Sequence, residues 1–128
     1  MLEDETGAPQ GAPTEPSGYV TLYMTAENED AANHIAMALV NERLVACANI
    51  LTGIRSIFEW DGLLEFQNEV AALMKTRSDK AEDAIARIRE LHNYEVPCIT
   101  CMPIEVANPD YLAWIDQQLE KAPKKIHQ

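Results

Sequence analysis

Apolar and polar positions recur along this chain in two rhythms, and the switch between them marks its elements. From Leu63 to Thr76 the period is two. Leu64, Phe66, Val70, Ala72 and Met74 fall on one face, and Glu65, Gln67, Glu69 and Lys75 on the other, with Asn68 the exception on the apolar side. Such alternation predicts a strand. The stretch Ala46 to Trp60 predicts its partner, and Trp60-Asp61-Gly62 supplies the turn between them. Strands usually run about 5–6 residues, so two arms of about 14 residues at ~3.3 Å each reach past a core of this size. A protruding hairpin leaves apolar side chains and backbone groups bare unless something covers them. A second copy of the chain is the simplest cover.

Elsewhere the period is helical. Asn28-Glu29-Asp30 reads as a helix start, followed by the stripe Ala32, Ile35, Ala36, Leu39 and Val40. Ser78 is the predicted cap of a second helix, with Asp79 and Glu82 in its first turn and Ala81, Ala84, Ile85, Ile88 and Leu91 as its stripe. Asn108-Pro109-Asp110 opens a third, whose face is Tyr111, Trp114, Ile115 and Leu119. Tyr19 to Thr25 and Cys98 to Val106 read as the remaining strands, and the second strand is expected to start near Val45. The order β-α-β-β-α-β, then α, predicts an α+β, ferredoxin-like domain. Its four strands form one antiparallel sheet, with the two main helices on one face. The third helix or a neighbouring subunit is left to cover an edge or the open face.

The ends differ in composition. Residues 1–17 are rich in Gly, Pro, Ser and Thr, with Glu3, Asp4, Glu5 and Glu15 as the only charges, and read as a flexible tail. Residues 121–128 read as a short basic C-terminal tail, with His127 a solvated end, leaving 18–120 as the folded domain. No apolar run approaches the ~20 residues of a membrane span. The start lacks the basic and apolar regions of a signal peptide, so the expected location is cytoplasmic, with no membrane partner. A net charge of -11 argues against nucleic acid, which calls for a basic face. Most of the surface carboxylates serve to solvate the protein.

Three cysteines, Cys47, Cys98 and Cys101, form an odd set that predicts free thiols. Cys98 and Cys101 have C-x-x-C spacing but lie in a predicted strand, where they point to opposite faces. That geometry argues against a redox pair or a zinc knuckle. No phosphate loop, nucleophile elbow or paired carboxylate motif is present, so no catalytic set is expected. The candidate polar cluster is Glu59, Glu69, Lys75, His92, Tyr94 and Glu95. Two readings of His92 stand: a histidine capping the end of the second helix beside a packed tyrosine, or a ligand in a loop held by a rigid scaffold.

Several strings in register resemble one family. These are Glu42-Arg-Leu-Val-Ala-Cys-Ala-Asn-Ile50; Gly53, Ser56, Phe58, Trp60 and Gly62 with Glu69 and Lys75-Thr76; His92, Tyr94, Glu95, Val96 and Pro97; and Asn108-Pro109, Tyr111-Leu112 and Trp114. Together they resemble the divalent-cation tolerance proteins called CutA, over about Val20 to Leu119. The resemblance implies a tight homotrimer, PII-like in architecture, with strands pairing between protomers through the long hairpin. It implies a role in copper or other divalent-cation tolerance, and vertebrate relatives are associated with acetylcholinesterase anchoring. It also implies a cleft between subunits lined by Trp60, Glu69, Lys75, His92, Tyr94 and Glu95.

In some bacterial members copper is assigned to a cysteine ending the first strand and to a His-His pair, positions matched here by Met24, Leu91 and His92. Cys47 matches a common family cysteine that is either a small core residue or a further ligand. The implied metal set is therefore His92, Met24 and Cys47, an incomplete shell whose thioether favours Cu(I). Phe58 and Asn93 stand where the family commonly has Tyr and Pro. Three functions follow as expectations: a small-ligand binding or signalling trimer, a soft-metal binding protein, or an enzyme of unnamed substrate.

Overall fold

The structure, a computed structural model, describes residues 17–123. The tail expected over residues 1–17 falls outside these except for Ser17. Most of the C-terminal tail, His127 included, also falls outside them.

Strands β1 (Tyr19–Ala26), β2 (Cys47–Trp60), β3 (Leu63–Arg77) and β4 (Ile99–Pro103) form one antiparallel sheet in the order β2-β3-β1-β4. Helix α1 (Glu29–Asn41) links β1 to β2, α2 (Ala81–Leu91) links β3 to β4, and α3 (Pro109–Leu119) follows. This is the α+β, ferredoxin-like interleaving of two β-α-β units. Val20, Leu22, Met24, Ala72 and Met74 point to one side of the sheet and pack with Ala32, Ile35 and Leu39 of α1 and Ala84 and Ile88 of α2. Fully burying each large side chain in this layer contributes about 1.5–3 kcal/mol.

Local chemistry explains the ends. Asn28 Oδ1 accepts the Ala31 N–H at 2.8 Å, and Asn108 Oδ1 accepts the Asp110 N–H at 3.1 Å, so both asparagines cap their helices. Ser78 does not cap α2. It opens a single 3₁₀ turn, Ser78–Lys80, that makes no side-chain cap. Its N–H is instead taken by the Gly18 carbonyl at 2.8 Å, which fastens it to the start of β1. The second strand begins at Cys47 rather than Val45, because Val45 N–H still serves the end of α1 through the Leu39 carbonyl. The fourth strand is shorter than Cys98 to Val106, since its pairing with β1 runs only from Ile99 to Pro103.

The hairpin has the expected reach, with 14 residues in β2 and 15 in β3. Trp60 pairs with Leu63 across a two-residue turn in which Asp61 and Gly62 both take positive φ, 52° and 78°. That matches the right-handed twist of the strands. The helices cover the sheet only as far as Val70. Beyond it Ile57, Leu64 and Phe66 are each more than 60% exposed. Asn68 is at home on this side because it lies past the covered zone.

α3 crosses to the other face. Ile115 and Leu119 bury against Ala46, with Tyr19 and Tyr111 alongside. The Tyr19 hydroxyl donates to Asp116 Oδ2 at 2.7 Å, and Arg77 pairs with both Asp79 and Asp116. One end of the open face is thereby closed, and the rest stays open.

Candidate functional site

A register shift between Leu51 and Ile54 decides what faces that open surface. Before it, odd-numbered β2 residues such as Cys47 and Asn49 share the face of Lys75. After it, the even-numbered Ser56, Phe58 and Trp60 do. Gly53, at φ 82°, lies in the shift and supplies the left-handed backbone. Ser56 thus pairs with Gln67, and Phe58 with Glu65, on the same side as Glu69. Tyr23 and Thr25 of β1 adjoin them.

These side chains, together with Tyr94, Glu95, Val96 and Cys98 from the connection after α2, line a pocket of about 670 Å³. Glu69 is its deepest charge, only 8% exposed. Ser56 Oγ donates to Glu69 Oε1 at 2.5 Å, and the Tyr94 hydroxyl donates to Oε2 at 2.7 Å. Among the described residues no Lys, Arg or His pairs with Glu69, and none lines the pocket. Burial, reinforced by the Glu69 hydrogen bond, holds the Tyr94 hydroxyl well above the usual phenol range.

The expected site residues divide. Trp60, Glu69, Tyr94 and Glu95 line the pocket. His92 stands behind it: Tyr94 N–H donates to His92 Nδ1 at 3.2 Å, and His92 Nε2 lies 2.8 Å from the Thr25 carbonyl. Both contacts are made at once by the tautomer that carries its proton on Nε2. The His92 and Tyr94 rings meet with centroids 4.6 Å apart. His92 therefore ends α2 and aims Tyr94, combining the cap and packing roles. Lys75 is six residues from Glu69, about 20 Å along the strand, and its ammonium donates to Asn49 Oδ1. Glu59 pairs with Leu64 and lies on the opposite face from Glu69. The residues not anticipated are Tyr23, Thr25, Ser56, Glu65, Gln67, Val96 and Cys98. Phe58, which belongs to the family-like string but stands where the family commonly has Tyr, also lines the pocket.

Of His92, Met24 and Cys47, Met24 neighbours Thr25, whose carbonyl His92 contacts, and Cys47 stands apart. Met24 is fully buried in the helix-side core. Cys47 lies level with Thr21 through Lys75, about 13 Å along the sheet from the Thr25 level of His92. Its sulfur meets the Tyr111 hydroxyl at 3.0 Å. Burial, then that contact, pushes Tyr111 up to about 12. Among the described residues no group of three or more His, Cys, Asp or Glu is placed to hold a metal ion. The set does not fit copper as one site. Cys98 and Cys101 are both exposed free thiols; Cys98 precedes β4 and lines the pocket, whereas Cys101 lies within β4 opposite Leu22, whose side chain points to the helix side.

The sequence pattern of the CutA1 divalent ion tolerance protein family matches residues 20–118. The chain belongs to that family. Protein CutA of Mus musculus is 38% identical over 127 residues, covering 94% of this chain and 72% of its own length. Divalent-cation tolerance protein CutA of Pyrococcus horikoshii is 38% identical over 102 residues, covering 80% of this chain and 99% of its own. The crystal structure of CutA from Xylella fastidiosa superposes with a TM-score of 0.79 at 33% identity, over 81% of this chain and all of that one. The hairpin, the interleaved sheet and the helix pair are thus family architecture. Among the described residues no helix is long and apolar enough to cross a membrane.

Proposed function

We propose that this chain serves divalent-cation tolerance as a binding protein rather than an enzyme. In this reading it is a homotrimer that holds a metal ion or a small cationic ligand in the open-face pocket around Glu69. One observation carries the reading. A buried carboxylate is costly unless its charge is compensated. Ser56 and Tyr94 give Glu69 hydrogen bonds but no positive charge. A cation entering the pocket supplies what the protein does not. Tyr94, aimed by His92, fixes the carboxylate, while Trp60 and Glu95 form the outer walls.

The trimer is supported by the bare hairpin. Trp60, Leu63, Leu64 and Phe66 are all more than half exposed, and β2 and β4 are both free sheet edges. A closed symmetric assembly removes edges and buries such an arm. Free thiols at Cys47, Cys98 and Cys101 support a reducing compartment, hence the cytoplasm. A soft-metal site at His92, Met24 and Cys47 has less support, because Met24 is fully buried and Cys47 stands apart at the Thr21 level.

Light scattering and thermal shift test the reading together. The expected results are about three chain masses and a stabilisation by a divalent or organic cation. At ~100 times its Kd, such a ligand stabilises the fold by roughly 2.7 kcal/mol. Glu69→Gln should abolish that stabilisation. A folded monomer defeats the assembly, and a shift undiminished in Glu69→Gln defeats the site.

A further inference from the structure

The strand register gives the pocket a length as well as a charge. Glu69 and Glu65 lie on the same face of β3, two same-face steps apart, or about 13 Å at ~3.3 Å per residue. Phe58 stands directly opposite Glu65, and Trp60 continues the strip one same-face step further on. Glu95 lines the wall from the connection after α2. The floor is therefore a strip with a buried carboxylate at one end, a second carboxylate well separated from it, and aromatic surface at the other end.

That spacing selects among cations. A single metal ion at Glu69 leaves unused both Glu65, about 13 Å further along the strand backbone, and the aromatic wall. A compact organic cation reaches only one carboxylate. An extended chain bearing several ammonium groups reaches both. Its methylenes lie along Phe58 and Trp60, and an ammonium at the ring faces is favoured further.

Resting on the pocket reading above, we infer that the ligand of this site is an extended aliphatic polyamine. Its end ammonium pairs with Glu69, an inner or distal one with Glu65 or Glu95, and its methylenes pack on Phe58. The net charge of -11 attracts such a ligand from a distance, and added salt weakens that attraction.

The test is isothermal titration calorimetry of the full chain with spermidine, butylamine, magnesium chloride and tri-lysine. Wild type is compared with Glu69→Gln, Glu65→Gln and Phe58→Ala. Glu65 and Phe58 lie on the hairpin outside the protomer core, so their variants keep the protomer fold, which circular dichroism verifies, and light scattering verifies that they assemble as wild type does. The expected result is one spermidine per chain, with butylamine about tenfold weaker or worse and each of Glu65→Gln and Phe58→Ala weakening spermidine about tenfold. Loss with Phe58→Ala separates this site from diffuse attraction to an acidic surface, which removal of a ring leaves unchanged.

Spermidine binding no tighter than butylamine overturns the inference, as does binding indifferent to both hairpin variants. Tri-lysine binding tighter than spermidine replaces the polyamine with a basic peptide. If magnesium binds in a Glu69-dependent way while no amine does, the polyamine falls and the pocket reading stands. If neither magnesium nor any amine binds, both fall.

Discussion

The Tyr94 hydroxyl donates to Glu69 Oε2 at 2.7 Å, joining the connection after α2 to a strand residue 25 positions earlier. The same tyrosine gives its backbone N–H to His92 Nδ1, and His92 is held in turn by the Thr25 carbonyl. A buried charge, a loop and a helix end are thereby one hydrogen-bonded unit.

Removing the hydroxyl takes a donor from a buried carboxylate and leaves the ring in place. Leaving such a group short of a partner costs about 1–3 kcal/mol. Tyr94→Phe is therefore expected to lower the unfolding free energy by that amount, read as a reduced urea midpoint with the m-value unchanged. Hydrogen exchange is expected to quicken in residues 92–98, where the loop loses its tie. An unchanged midpoint would mean that water replaces the hydroxyl at Glu69 without loss.

Alkaline pH probes the same unit. Tyr94 and Tyr111 are both raised in the folded chain above the ordinary phenol value, Tyr111 to about 12 and each chiefly by burial. A raised folded value means the protonated phenol is favoured by folding. The stability each contributes is fully present below about pH 10, the unfolded value. It is lost as pH climbs through the folded value. Stability is therefore expected to decline above about pH 10, with a shallower decline in the double variant Tyr94→Phe/Tyr111→Phe. Chemical denaturation at a series of alkaline pH values checks this, and parallel slopes for the two proteins would count against it.

Much of this was legible because the signals are periodic. The alternation from Leu64 to Met74 identified a strand and its faces, and the two helical stripes supplied the layer above the sheet. Asn28, Asn108 and Pro109 marked their helix starts through local chemistry. The pocket was less legible because it depends on phase. The Leu51/Ile54 shift moves Ser56, Phe58 and Trp60 onto the face of Glu69, and Gly53 was the one cue to it. Without that shift Glu59, rather than Phe58, falls on the face of Glu69 in a straight reading of the strand. Ser78 misled because a serine before acidic residues looks like a cap, whereas it opens a 3₁₀ turn ahead of α2 and no side chain caps either start. The separation of Cys47 from His92, and the burial of Met24, depend on tertiary placement, which residue types along a chain do not encode.

Trp60 closes the hairpin opposite Leu63 with more than half of its surface bare. An aromatic at the tip of a protruding arm is placed to anchor a neighbouring copy rather than the protomer core. Truncating such an anchor often costs about 2 kcal/mol or more of association. Trp60→Ala is expected to shift the oligomer toward monomer on dilution, while far-ultraviolet circular dichroism stays unchanged. Sedimentation velocity across a concentration series measures this. A variant that assembles as tightly as wild type would remove Trp60 from the interface and leave it as a wall of the pocket alone.

Copper is the sharpest test of the residues that do not converge. To ligate a metal, His92 must surrender either the Tyr94 N–H at Nδ1 or the Thr25 carbonyl at Nε2. Neither other member of the implied set is free to join it: Met24 is sealed in the core and Cys47 faces Tyr111. A lone imidazole with an unreachable thioether makes an incomplete shell. Copper binding through these residues is therefore expected to be weak in both oxidation states. His92→Ala should leave the affinity unchanged. Met24→Ala should also leave it unchanged while costing about 2–5 kcal/mol of stability through the cavity it opens. The measurement is chelator-competition titration of wild type and both variants, under reducing conditions for Cu(I) and oxidising conditions for Cu(II), with urea unfolding in parallel. Tight stoichiometric binding that disappears in both variants would require β1 and the end of α2 to rearrange around the metal. It would also make the tolerance function a matter of direct metal capture at His92 rather than of the Glu69 pocket.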